Sequence, residues 1–161
     1  MTAELARPPV QVGPASPGDA ASIARLVRRS RGECLPLSEG EVLARLGEFE
    51  VARGPGGEVL GCAAIRRAPG RAPELRSVSV DRRWRGAGIG RRLVERAAER
   101  AQAARQDLFC VSRSPEFFER IGFVRLPTSA VPWRPGAARG GRPRCALVRR
   151  SRGVVRRERG A

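Results

Sequence analysis

The chain has 161 residues, a length that suits one domain with its own core and is short for two. Its formal charge is +16 and it contains no histidine, which excludes a catalytic histidine and a histidine-bound metal. No apolar run approaches the roughly 20 residues that cross a bilayer, and residues 1–9 lack the apolar segment of a secretion signal, so we expect a soluble, cytoplasmic protein without membrane contact.

The first half of the sequence predicts a short strand, two capped helices and a hairpin. After an unpatterned, flexible segment at residues 1–9, residues 10–12 form the strand. Ser16 and Asp19 have the spacing of a capping box, with a proline at the first helical position, and Ser38 and Glu41 repeat that spacing. Residues 49–53 and 58–67 are β-like runs separated by a Gly/Pro turn, which indicates a hairpin.

The second half predicts a strand, a glycine-rich turn and an amphipathic helix in succession, at residues 74–80, 85–90 and 90–106. A strand at residues 108–112 follows, and then a short helix that Gly122 ends. The remaining segments are a strand at 123–126, a Gly/Pro-rich loop at 127–143 and a last strand at 145–149.

Four cysteines and the distribution of arginines bear on metals and nucleic acids. The cysteines lie far apart without a C-x-x-C pair, so we expect reduced thiols, no disulfide framework and no metal. All 32 basic residues are arginine, and nine of them lie between Arg139 and Arg159. Clustered cations bind phosphate, which keeps a nucleic-acid module as an alternative. We interpret residues 151–161 as a solvated basic tail instead, because the absence of lysine, asparagine and tyrosine points to a GC-rich coding sequence.

The turn Arg85-Gly86-Ala87-Gly88-Ile89-Gly90 is the motif most closely tied to chemistry. Glycines let the backbone approach an anion, and the first N–H groups of the following helix point toward it. The turn lacks the Gly-Lys-Ser/Thr ending of a P-loop, and it follows a β-rich half instead of opening the chain as a first βαβ unit. The sequence therefore predicts a diphosphate site at this turn.

The pattern Arg85-x-x-Gly88-x-Gly90, after residues 77–81 and before Leu93-Val94, resembles the acetyl-CoA signature of the GNAT acetyltransferases. Residues 115–123 resemble the closing helix and strand of that fold. Residues 74–80, 108–112 and 115–118 resemble short amino-acid acetyltransferases similar to the catalytic domain of N-acetylglutamate synthase. The resemblance covers residues 10–126.

The resemblance implies a single α/β (α+β) domain over residues 10–150. Its central sheet is mixed and mostly antiparallel, is flanked by helices, and splays where the arm of CoA enters. The resemblance also implies acetyl-CoA as the cosubstrate, without a metal. The positions that it assigns to acetyl-CoA are Val78, Ser79, Val80, Arg85, Gly86, Ala87, Gly88, Ile89, Gly90 and Arg91.

The resemblance also implies roles in catalysis. Glu74 matches the family's general base, which an amine needs because it is protonated at neutral pH. Ser112 matches a hydroxyl that could protonate the departing thiolate, since the chain has no tyrosine, although the thiolate could also leave without an acid. Arg76 and Arg113, with Arg66, are candidates for binding a substrate carboxylate.

The function implied is acetyl transfer to a primary amine of a small molecule, such as the α-amino group of glutamate. Two departures leave the acceptor open: Leu37 stands where related enzymes often carry arginine, and Arg113 replaces a residue that is commonly aromatic or polar. The alternatives are a drug-like or peptide amine as acceptor, or a CoA-binding regulator without turnover. Many relatives dimerise, which keeps a homodimer open.

Overall fold

Four α-helices and seven strands form the described part of the chain, which the computed structural model gives as residues 9–30, 34–130 and 145–152. The helices are α1 (Ala20–Arg29), α2 (Glu39–Ala44), α3 (Ile89–Ala103) and α4 (Pro115–Glu119). The strands are β1 (Gln11–Pro14), β2 (Phe49–Arg53), β3 (Val59–Arg66), β4 (Glu74–Val80), β5 (Leu108–Ser112), β6 (Val124–Leu126) and β7 (Cys145–Arg149). These elements occur where the sequence predicted them, with small shifts at their ends.

Some predicted segments lie wholly or partly outside this description. The loop predicted for residues 127–143 begins with a 3-10 turn, Thr128–Ala130, and residues 131–144 are not described. Residues 1–8 and 153–161 are likewise outside it. Within the three described ranges, none of the helices has the length and apolar character needed to cross a membrane.

All seven strands form one sheet in the order β1-β2-β3-β4-β5-β7-β6. Every neighbouring pair is antiparallel except β4 and β5, which run parallel. The parallel pair is joined at only two positions, Glu74↔Phe109 and Leu75↔Cys110, so the strands separate beyond Leu75. The predicted mixed, mostly antiparallel sheet is confirmed, and it opens between β4 and β5.

Both predicted capping boxes are present and set the starts of the first two helices. The Ser16 backbone N–H and hydroxyl donate to Asp19 Oδ2 at 2.7 and 2.9 Å, and a 3-10 turn, Pro17–Asp19, leads into α1. At α2, the Glu41 N–H donates to Ser38 Oγ at 3.2 Å, and the Ser38 N–H donates to Glu41 Oε2 at 2.8 Å. Each box satisfies donors that the first helical turn leaves free.

Helix α3 packs closely against the sheet because its inner face carries small and branched apolar residues. Leu93, Val94 and Ala97 on this face are almost completely buried. A Cβ added at Gly61 of β3 would lie 3.0 Å from the Leu93 Cδ1 atom and 3.0 Å from the Ser79 carbonyl oxygen. This close approach fixes the start of α3, and with it the preceding turn, beside the opening of the sheet.

Helices cover both faces of the sheet, and each face has its own apolar core. One core joins α3 and α4 to inward-facing residues of β3, β4, β5 and β7. The other joins α1 and α2 to the opposite faces of β2 and β3. The opening between β4 and β5 is therefore bordered by α1 on one side and by α3 and α4 on the other.

Candidate active site

A β-bulge bends β4 at the position where the sheet opens. Cys62 of β3 pairs with Ser79, whereas Ala64 pairs with Arg76, so Ser77 and Val78 together face the single residue between them on β3. Ser77 has φ 53°, a left-handed conformation that is rare for a residue other than glycine. The bulge turns this part of β4 away from the regular ladder, and both bulged residues border a cavity.

The glycine-rich turn after β4 presents the amino end of α3 to the same cavity. Gly88 is the N-cap of α3 with φ 79°, a conformation that glycine adopts without strain. The first helical hydrogen bond runs from the Arg92 N–H to the Gly88 carbonyl at 3.1 Å. The N–H groups of Ile89, Gly90 and Arg91 therefore have no acceptor within the helix, and the positive end of the helix dipole lies behind them. This arrangement suits a bound anion such as a diphosphate.

The cavity at this turn, which we call the loop cavity, has a volume of about 500 Å³. It contains the opening between β4 and β5 and extends to α4. Of the positions predicted for acetyl-CoA, Val78, Ser79, Val80, Arg85, Gly86, Gly88, Ile89, Gly90 and Arg91 line it, and Ala87 is not among the lining residues. The Ala87 N–H donates to the Trp84 carbonyl at 3.3 Å and thereby closes the turn.

Three of these positions have side chains that already form hydrogen bonds within the protein. Ser79 is 3% exposed, its hydroxyl donates to the Leu26 carbonyl at 3.1 Å, and it also hydrogen-bonds Ser30 of the α1 end. Ser79 thus ties β4 to α1, and only its backbone remains for a ligand. The Arg91 guanidinium is paired with Glu95 at 2.8 Å, whereas the Arg85 Nε donates to the Val80 carbonyl at 3.4 Å. Both arginines are fixed at the rim of the turn.

Aromatic residues that the sequence reasoning missed complete the loop cavity. Trp84 from the turn and Phe117 from α4 line it. A Cβ at Gly90 would lie 3.2 Å from the Phe117 Cζ atom, so the absence of a side chain at Gly90 lets Phe117 approach the helix start. Phe118, which is buried in the core, lines the cavity as well, so the two adjacent phenylalanines on this short helix were a usable signal for an aromatic wall.

A second cavity of about 320 Å³, the strand-end cavity, lies at the beginning of β4. It shares Cys34, Leu75, Arg76, Ser77 and Val111 with the loop cavity, so the two cavities meet across β4. The remaining walls combine apolar residues of the α1–α2 connection, including Leu37, with charged groups. The charged residues that line it are Glu41, Arg45, Glu48, Arg66, Glu74 and Arg76.

Glu74, the predicted base, lines the strand-end cavity close to the junction of the two cavities. Its side chain is 19% exposed, and its carboxylate lies 3.7 Å from the Arg76 Nε atom. Burial raises the pKa of the Cys110 thiol, and the nearby Glu74 carboxylate raises it further. Glu74 pairs with Phe109 in the parallel ladder, directly next to the Leu75–Cys110 pair that lines the loop cavity, so Glu74 lies near both cavities.

Of the residues predicted to assist catalysis or bind a carboxylate, Ser112 and two arginines line the cavities and one arginine does not. Ser112 lines the loop cavity at the end of β5, and its Oγ accepts a hydrogen bond from the Ser114 N–H at 3.0 Å. This leaves the hydroxyl proton available for donation. Arg76 borders both cavities and Arg66 borders the strand-end cavity, whereas Arg113 is not among the residues lining either one. Within the described ranges, no group of three or more Cys, Asp or Glu side chains could hold a metal ion.

Comparison with known proteins places this architecture in a family. Residues 45–125 match the acetyltransferase (GNAT) domain. An uncharacterized N-acetyltransferase of Chlorobaculum tepidum is 31% identical over 122 residues, covering 72% of this chain and 78% of that protein. An amino-acid acetyltransferase of Mycobacterium tuberculosis is 36% identical over 87 residues, covering 52% of this chain and 50% of that protein.

A solved structure with the same fold is N-acetylglutamate synthase from Neisseria gonorrhoeae, complexed with coenzyme A and N-acetyl-glutamate. The TM-score is 0.77 at 27% identity, and the match covers 88% of this chain and 35% of the synthase chain. This chain thus spans about half of the Mycobacterium relative and about a third of the synthase. The matched domain, the similarity to the Chlorobaculum protein and the shared sheet with its opening beside a glycine turn show that the chain belongs to the GNAT acetyltransferase family.

Proposed function

We propose that this acetyl-CoA-dependent N-acetyltransferase acetylates the α-amino group of a free amino acid. The observation that carries the proposal is the meeting of two cavities across β4, with Glu74 beside their junction. One cavity ends at an anion-binding turn and suits the coenzyme. The other is small and lined by charges of both signs, as a zwitterionic acceptor requires.

The donor side uses mainly backbone groups. The N–H groups of Ile89, Gly90 and Arg91 would hold the diphosphate of CoA, with Arg85 adding positive charge at the rim. The bulged residues of β4 lie along the opening of the sheet, where an extended ligand can hydrogen-bond the backbone as a neighbouring strand would. When bound, acetyl-CoA supplies the activated thioester.

The chemistry assigned to the protein is the removal of a proton and the placement of the amine. An amino group is protonated at neutral pH and cannot attack a thioester until it loses a proton. Glu74 lies where its carboxylate can accept that proton, directly or through water, from an acceptor in the strand-end cavity. Arg76, within 3.7 Å of the same carboxylate, limits how Glu74 can be oriented.

The acceptor's carboxylate is assigned to Arg66 and Arg45 on the walls of the strand-end cavity. Neither guanidinium has a carboxylate partner within 4.0 Å among the described residues, whereas Arg76 is engaged by Glu74. The planar fork of arginine matches a carboxylate with two hydrogen bonds. Leu37 also lines this cavity and supplies an apolar contact, and we assign recognition of the acceptor's side chain, that of glutamate or of another amino acid, to the same walls.

The proposal is tested by release of free thiol from acetyl-CoA with a panel of amino acids, their methyl esters, simple amines and short peptides. We expect turnover with at least one free amino acid and little with its methyl ester. Arg66→Gln should raise KM for that amino acid roughly 10-fold without changing kcat, because a contact made equally in ground and transition states is lost. Arg71→Gln removes an exposed charge that lines neither cavity and should behave like the unchanged protein.

Two outcomes of this panel would contradict the proposal. Esters or peptides that react as well as free amino acids would show that no carboxylate is recognised. Binding of CoA without turnover of any amine would favour the regulator that remains as the alternative.

Ser112 is assigned a supporting role in the departure of the thiolate. A thiolate leaves more readily than an alkoxide because its conjugate acid has a pKa of about 8.5, so Ser112→Ala should lower kcat only about 5-fold. Ser114→Ala is the matched control, since the Ser114 N–H that donates to Ser112 is retained. Single-turnover rates with both variants measure the effect, and an unchanged rate in Ser112→Ala would show that the thiolate leaves without this hydroxyl.

A further inference from the structure

A third cavity lies away from the two that meet at β4. It has a volume of about 570 Å³ and lies between the C-terminal half of α3 and the end of β7. It shares no described residue with the loop cavity or the strand-end cavity. We call it the C-terminal cavity; its apolar wall is formed by Ala98, Ala101, Leu108 and Val124, and its polar wall by residues 149–152 with Glu99, Gln102 and Gln106.

The polar wall is held in place by specific hydrogen bonds. The Gln102 amide donates to the Arg152 carbonyl at 3.0 Å and accepts from the Arg152 N–H at 2.8 Å. The Ser151 N–H donates to Asp107 Oδ1 at 2.8 Å. Ser151 and Arg152, which the sequence analysis assigned to the basic tail, are thus fastened to α3 and to the turn before β5. The wall is a fixed part of the domain.

The cavity carries positive charge that nearby acids do not neutralise. Arg149, Arg150 and Arg152 line it. Asp107 pairs with Arg150, with 2.8 Å between Oδ2 and Nη1, and Glu99, which also lines the cavity, lies 3.7 Å from the Arg96 guanidinium. Within the described residues, no carboxylate lies within 4.0 Å of the guanidinium of Arg149 or Arg152. Arg149 and Arg152 therefore have no ion-pair partner among the described residues, and the three lining arginines outnumber the one lining carboxylate, Glu99.

Part of the Arg149 guanidinium is buried, which raises the free-energy cost of leaving it without a counter-charge. Its Nη1 atom is buried and has no hydrogen-bond acceptor among the described groups, and the same holds for the Ser151 Oγ atom. Unpaired polar groups away from water are costly, and an anion supplies acceptors as well as charge. The carbonyl end of α3 offsets only part of this charge, because a helix dipole contributes about 0.3–1 kcal/mol near a charged side chain.

We propose that the C-terminal cavity binds a small organic anion, whose carboxylate or phosphate group is held by Arg149 and Arg152 and whose body rests on the apolar wall. A guanidinium recognises either oxyanion with two parallel hydrogen bonds, which is why the two head groups share this chemistry. The site is separate from the acetyl-transfer site. It therefore adds a third ligand, beyond acetyl-CoA and the acceptor amine.

The experiment titrates the full chain with succinate and, separately, with inorganic phosphate while following backbone amide NMR signals. Saturating CoA is present throughout, so that the turn before α3 is occupied. We expect shifts confined to residues 98–108, 122–124 and 149–152, and the stronger of the two probes identifies the head group. Arg149→Gln should weaken that binding at least 10-fold, whereas Arg28→Gln, which removes an exposed charge on α1, should leave it unchanged.

Two outcomes would overturn the proposal that the C-terminal cavity binds an anion. An absence of shifts with both probes would overturn it, as would an equal loss of binding in Arg28→Gln, which would indicate attraction by net charge alone. If Arg149→Gln does not fold, Arg152→Gln carries the test, because its guanidinium forms no hydrogen bond or ion pair within the described chain. CoA affinity measured on each variant checks that the fold is intact.

Discussion

Replacing Glu74 by glutamine is expected to lower kcat for acetyl transfer by roughly 10³-fold, within the range that a positioned base contributes. The amide keeps the size of the side chain and cannot take a proton from the amine. The affinity for CoA should stay the same, because Glu74 lines the strand-end cavity and not the cavity at the glycine turn. Single-turnover kinetics and calorimetric CoA binding on the same variant measure the two quantities.

The pH dependence of this variant separates a base from a structural carboxylate. Without a base, only the acceptor that is already deprotonated reacts, so the residual rate should rise about 10-fold per pH unit until the amine's own pKa is reached. Glu48→Gln, in the same cavity, is the control and should keep the pH profile of the unchanged protein. Glu74 would not be the base if its substitution left kcat within about 3-fold of the original.

A carboxylate placed at Gly88 should weaken CoA binding by about 100-fold, or ~2.7 kcal/mol. Gly88 is the N-cap of α3, next to the N–H groups assigned to the diphosphate. Two unit charges 4 Å apart repel by about 4 kcal/mol at an effective dielectric constant of 20, and salt screens part of this. Gly88→Asp therefore opposes the diphosphate directly.

Gly88→Asn is the matched control for this charge. Asparagine has nearly the same shape as aspartate, tolerates the left-handed conformation similarly and also caps a helix. Thermal unfolding should therefore be alike in the two variants, while calorimetry should show a much smaller loss of CoA affinity for asparagine. Equal losses in both variants would assign the effect to the added volume, and the turn would then not be a site governed by charge.

The glycine turn could be predicted from the sequence because its determinants are local. Gly86, Gly88 and Gly90 stand between a strand pattern and an apolar helical pattern, and the structure places α3 one residue before the predicted start. The capping boxes at Ser16 and Ser38 are local in the same way, since each is closed by a side chain three residues away. Hydrogen bonds within one helical turn join residues at a fixed separation, and this separation can be recognised in the sequence.

The acceptor side could not be predicted because it depends on distant segments. Arg45 follows α2, Glu74 begins β4, and only the pairing of the strands between them brings both into one cavity. The bulge at Ser77 leaves no signature in an alternating strand pattern. Arg113 follows β5, a strand expected to border the site, but it lies in the turn before α4 and is not among the residues that line either cavity.

The early separation of β4 and β5 ties coenzyme binding to the stability of the whole domain. Helix α3 contacts β2, β3 and β4, so it stays with the first part of the sheet, while α4 contacts β6 and β7. Along the seam the strands are in register at only two residue pairs, next to a hydrogen bond from the Phe109 N–H to the Pro73 carbonyl. The apolar core beneath, with the Gln102–Arg152 hydrogen bonds, supplies the rest of the connection. A ligand lying in the seam contacts both parts. By mass action, a free ligand concentration of 100 times Kd adds about 2.7 kcal/mol to the free energy of unfolding. Without a ligand, the two parts of the sheet are joined mainly by the apolar core. With acetyl-CoA bound in the seam, the ligand joins them as well.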